Sequence, residues 1–181
     1  KSKPTSSRHT LRTLIHPMEK VEGLDGEVSS ASVTLQSKDG KHLDVDKKQA
    51  YISTVIKTSL ENDASAKTLP VLGVNGDILK LIVEYMNHHN GTEPALIDKP
   101  LRSRHMKECV KDEWDATFID GIESKQTLYD LILAANYMDI KALLHLGCAK
   151  VASMIKGQPL ERIKEILDPS EKKRFKGAEG K

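Results

Sequence analysis

Residues 128–167 read LYDLILAANYMDIKALLHLGCAKVASMIKGQPLERIKEIL, the longest apolar-periodic stretch in an otherwise polar chain. In its first part Leu128, Leu131, Ile132 and Ala135 recur at the i, i+3, i+4, i+7 spacing of a buried helical stripe, and Ser124 is placed to cap it. Asn136-Tyr137-Met138-Asp139 interrupts the period, so Tyr137 is expected to project from the helix end. A second helix carries Ile140, Leu144, Cys148, Val151 and Ile155 on one side, with Leu143, Leu146 and Met154 to its flanks. Gly157 suits a left-handed helix terminator and Pro159 the first turn of a third helix. That helix sets Leu160, Ile163, Ile166 and Leu167 on one face before Asp168-Pro169 stops it. The apolar residues cover more than one helical face, which suggests a partner beyond the chain's own core.

Upstream, Val33 and Leu35 alternate with polar neighbours, Lys38-Asp39-Gly40-Lys41 makes a turn, and Leu43 and Val45 alternate on the return. Residues 47–61 read as one helix and 68–72 as a short strand. Asn75 is placed to cap a helix whose broad face is Ile78, Leu79, Ile82, Val83 and Met86, ending in His88-His89-Asn90-Gly91. Residues 92–112 have no apolar period and read as a long loop, which inside a domain is functional or disordered. The order hairpin, helix, strand, helix, loop, helices predicts an α+β domain.

Several segments, taken in order, resemble the S-phase-kinase-associated adaptor family, the linker subunit of SCF (cullin–F-box) ubiquitin ligases, which has a BTB/POZ fold. They are SVTLQSKDG (32–40), HLDVD (42–46), STVIKT (53–58), LPVL (69–72), ILKLIV (78–83), WDATF (114–118) and, most specific, AANYMDIK (134–141) and ASMIKG (152–157). The resemblance implies an organisation of a basic and polar extension (1–31), a BTB/POZ domain (32–156) with its insertion at 92–112, an F-box-binding helix (157–168) and a basic tail (169–181). It also implies that Asn136 and Tyr137 touch a cullin. The F-box platform would draw on Leu144, Cys148, Val151, Ile155, Leu160, Ile163, Ile166 and Leu167. Past Leu167 the family continues through an Asn-Asp-Phe-like turn into an acidic, aromatic-bearing helix, whereas this chain has DPSEKKRFKGAEGK. Truncation and real loss both remain open; under the second, the hold on an F-box is weakened.

Composition bounds the alternatives. The 181 residues are 38% hydrophobic and 4% aromatic, with a net charge of +2, so the core is aliphatic and no basic excess marks a dedicated nucleic-acid binder. Nucleic acid is expected only through the basic arm or tail. The acid-free first eighteen residues suit a disordered arm or an organellar transit segment. Cys109 and Cys148 form no CxxC, and no disulfide, membrane span or cofactor is expected. Cys148 reads as a small core or interface residue.

No GxSxG, GxxxxGK or HExxH is present, so the chain reads as no enzyme. His88 and His89 are adjacent, about 100° apart on a helix, and are not expected to share a metal. His105 and Cys109 give too few ligands for a zinc site. Asp44 and Asp46 flank Val45 on a solvated strand face. The leading expectation is a cytoplasmic and nuclear adaptor joining an F-box protein to a cullin. The alternative is a divergent family member serving as a structural subunit of an axonemal or organellar assembly.

Overall fold

The computed structural model describes residues 32–168. The extension 1–31 and the tail 169–181 lie outside the described residues, and so do the expectations made for them. Strand β1 (Ser32–Ser37) pairs antiparallel with β2 (His42–Asp46), with Leu35 opposite Leu43 and Thr34 opposite Asp44. Strand β3 (Thr68–Val71) joins the other edge of β1 in parallel, giving the order β2-β1-β3. The period-2 pattern decides which face is buried: Val33, Leu35 and Val45 point inward, while Thr34 donates its hydroxyl to Asp44 on the other side. Asp46 is not simply solvated, because its carboxylate accepts from the Lys48 amide and caps the following turn.

A parallel pair needs a crossover. Here it contains α1 (Lys47–Ala50) and α2 (Thr54–Asn62), where the sequence suggests one continuous helix. The break falls at Ser53. Its hydroxyl accepts from the Ile56 amide to start α2 and donates 2.6 Å to the Met138 carbonyl, 85 residues away. Ser53 is fully buried, so the tertiary bond overrides the local helical period.

Helix α3 (Gly76–His89) is the central helix, with Leu79, Ile82, Tyr85 and Met86 sealed from solvent. Asn75 is its N-cap residue, but its side chain makes no capping bond. The acceptor comes instead from the β-hairpin turn, where Asp39 Oδ1 takes the Gly76 amide at 2.6 Å. At the other end Asn90 adopts the left-handed conformation that closes the helix. The insertion 92–112 is irregular apart from a 3-10 turn (Met106–Glu108), yet Met106 is buried in the core and Ile97, Leu101 and Val110 pack against it.

The remaining helices are α4 (Glu113–Asp120), α5 (Lys125–Tyr137), α6 (Lys141–Ile155) and α7 (Leu160–Leu167). Ser124 caps α5 through the Thr127 amide, and Gly157 takes the expected left-handed conformation. Three readings of this region change. Pro159 is the N-cap of α7 rather than part of its first turn. On α6 the core side is Leu143, Leu146 and Ala149, so the face expected to be primary is rotated toward solvent. On α5, Ala134 rather than Ile132 completes the buried stripe. Ile132 lies over Gly147, where a Cβ would sit 2.5 Å from its Cγ1, so glycine permits α5 and α6 to approach this closely.

Candidate protein-interaction site

The end of α5 is a braced corner. Asn136 is exposed, Tyr137 is 49% exposed, and the next residue, Met138, is buried to 1%. Asp139 turns the chain with a φ of 49°. The Ser53 hydroxyl holds the Met138 carbonyl, and the Thr54 amide reaches the Asp139 carbonyl at 3.4 Å. One edge of the Tyr137 ring lies over Gly73, where a Cβ would come within 2.9 Å of the ring carbons. Tyr137 is therefore a half-exposed aromatic on a rigid mount, with Leu72, 63% exposed, adjoining Gly73 in sequence. Such a mount lowers the entropy lost on docking.

The second surface lies on α6 and α7. Of the residues expected to form it, Leu144 and Val151 are partly buried against the core and Ile155 is half-buried. Cys148 is exposed, which removes its reading as a core residue. It lines a groove of about 470 Å³ between α6 and the insertion, facing Ile97, Pro100 and Leu101, with His145 and Ala152 beside it. On α7, Leu160 is 59% and Leu167 46% exposed, Ile163 is half-buried and Ile166 is buried. An eight-residue helix with this much apolar exposure does not hold itself in place.

What holds it is a feature that helical periodicity does not reveal. Lys125, 4% exposed, donates from Nζ to the carbonyls of Glu165 (2.7 Å) and Asp168. Tyr129 donates its hydroxyl to the Ile166 carbonyl at 2.8 Å. A cation thus sits on the negative end of α7 and satisfies carbonyls that have no partner within the helix. Burial pushes the Tyr129 hydroxyl pKa up, in keeping with its role as a donor. The sequence carries a faint sign of this: Lys125 occupies the first turn of α5, where the helix dipole disfavours a cation, three residues before the buried Leu128.

Comparison with known proteins agrees with this architecture. The Skp1 family tetramerisation (POZ) domain matches residues 31–91, the sheet and α1 to α3, and the Skp1 family dimerisation domain matches residues 141–170. Over 141 residues the chain is 38% identical to the E3 ubiquitin ligase complex SCF subunit sconC of Arthroderma otae, covering 77% of this chain and 84% of that protein. The chain belongs to the Skp1 family. It is also 40% identical over 139 residues to the S-phase kinase-associated protein 1 homolog of Tetrahymena thermophila, covering 77% of this chain and 82% of the relative. With SKP1-like protein 13 of Arabidopsis thaliana it shares 38% over 138 residues, 76% of this chain and 84% of the relative. The Skp1 dimerisation match begins at the first residue of α6 and takes in α7, so it spans the second surface. Asn136 and Tyr137, like the insertion, fall between the two Skp1 matches. Among the described residues no helix is long and apolar enough to cross a membrane.

Proposed function

We propose that this Skp1-family chain is a non-catalytic adaptor that links an F-box protein to a cullin in an SCF-type ubiquitin ligase. In this reading Asn136 and Tyr137 meet the cullin. The exposed and half-buried apolar residues Leu144, Cys148, Val151, Ile155, Leu160, Ile163 and Leu167 receive the F-box, with Ile166 securing α7 from beneath. The observation that supports the reading is that α7 is held at the opposite end of α5 from Tyr137. Lys125 and Tyr129, in the first turns of α5, hold α7, and Tyr137 closes the other end. The thirteen residues of α5 set its two ends about 18 Å apart. A partner on each surface would then be joined by a single rigid element. The names of the relatives as SCF subunits support the same role. Ubiquitin transfer belongs to other subunits, and the protein acts in the cytoplasm and nucleus.

Affinity purification of the full chain from its native cells, followed by mass spectrometry, tests the proposal. A cullin together with several different F-box proteins is the expected result. One fixed assembly containing neither would overturn it in favour of the structural-subunit reading.

A further inference from the structure

The last turn of α3 and the start of α4 meet across the insertion through two imidazole–carboxylate pairs. His88 Nε2 lies 2.9 Å from Asp112 Oδ2, and His89 Nε2 lies 2.8 Å from Asp115 Oδ1. The second pair is buried, with side chains 6% and 8% exposed, while the first is open to solvent. Neighbouring histidines on a helix are expected to diverge, yet these rings sit 4.8 Å apart, centre to centre, edge to face. One ligand atom from each of His88, His89 and Asp112 lies within 4.8 Å of the others.

We propose that His88, His89 and Asp112 form a binding site for a divalent transition-metal ion of the zinc, cobalt or nickel class. Two imidazoles and one carboxylate suit these metals, whereas calcium and magnesium take mostly oxygen donors. The supporting contacts are those a metal site uses. Asp115 takes His89 Nε2, which fixes the ring and leaves Nδ1 for the ion. Asp112 is oriented by the Trp114 amide on its other oxygen. Trp114 stacks on His88 with centroids 3.9 Å apart and planes 8° apart, which steadies that ring. The negative end of the α3 dipole points at the same place, where a cation is favoured. Donors around a four-coordinate ion stand about 3.3 Å apart, given bonds of about 2.0–2.1 Å. Small shifts of the partly exposed His88 and Asp112 side chains that keep these contacts would close that difference, with water completing the coordination. Loading would tie α3 to α4 and fasten both ends of the insertion.

Trp114 is the single tryptophan of the chain, and its contact with His88 makes it a reporter. Titration of the untagged full chain with cobalt(II) or nickel(II) is expected to quench its fluorescence saturably at one equivalent. Zinc(II), which does not quench, should reverse the effect by competition. His88→Gln and Asp112→Asn should each weaken binding at least tenfold, and His145→Gln should leave it unchanged. Asparagine still caps α4, so Asp112→Asn is expected to fold, which far-UV circular dichroism checks. Zinc should also raise the Tm of the parent chain and not that of Asp112→Asn. Quenching that does not saturate, or that persists unchanged in both variants, would mean adventitious binding and overturn the site.

Discussion

The two ends of α5 carry surfaces of opposite character. At the C-terminal end Tyr137 stands on a corner fixed by buried Met138, by the Ser53 hydroxyl and by the flat face of Gly73. At the N-terminal end α7 is held chiefly through its carbonyls, by Lys125 and Tyr129, while Leu160 and Leu167 face solvent. The first surface is finished before any partner arrives. The second is a short amphipathic helix held by Ile166 beneath it and by polar contacts at its end. That contrast would suit the proposed adaptor, if it has one constant partner and several variable ones. A rigid hot spot gives affinity for a single target, and a lightly held apolar helix tolerates differences among several.

Breaking the rigid end should have the largest effect. Tyr137→Lys is expected to lower cullin affinity at least thirtyfold in isothermal titration, the loss of about 2 kcal/mol typical of an interface hot spot. The Tm should be unchanged, since half of the ring is already in water. Next comes the tether. Lys125→Met leaves the α7 carbonyls without their cation, a loss of about 1–3 kcal/mol. Hydrogen exchange should show faster opening of α7 alone, and F-box affinity should fall about tenfold. Unchanged α7 protection would mean that apolar packing, not Lys125, holds the helix. A subtler change sharpens the first surface: Gly73→Ala puts a Cβ against the Tyr137 ring and should reduce cullin affinity about fivefold by displacing an otherwise intact side chain. Equal affinity would show that the mount is unimportant.

The smallest effect lies away from both surfaces. The Ser37 hydroxyl, and then the Gly76 amide, hold the Asp39 carboxyl below the usual carboxylate range. A depressed carboxylate adds stability above its unfolded pKa, about 3.9, and loses it as pH falls through the folded value. Asp39→Asn should therefore slightly flatten the decline of stability below about pH 4 and leave both partner affinities alone.

Much of this was legible in the sequence because it rests on local rules. The alternation of Val33 and Leu35, the Ser124 cap and the Gly157 terminator each depend on near neighbours, and each appears as expected. Several departures involve distant partners. Ser53 breaks a helix for a carbonyl in the turn after α5, Asp39 caps α3 from a hairpin, and Met106 anchors a stretch with no apolar period. The interaction residues followed the same division. The projection of Tyr137 could be read from an interrupted period. On α6 the residues are apolar nearly all round, so periodicity does not choose between Leu143, which is buried, and Leu144, which is partly buried against the core. Lys125 was hidden because its value depends on carbonyls 40 and more residues away.

In the proposed role the two surfaces act separately, one at each end of α5. A reconstituted complex of this chain, a cullin N-terminal domain and an F-box segment tests it directly by size-exclusion chromatography. Tyr137→Lys should release the cullin and keep the F-box, and Leu160→Asp with Leu167→Asp should do the reverse. Release of both partners, or of neither, by either variant would contradict this separation.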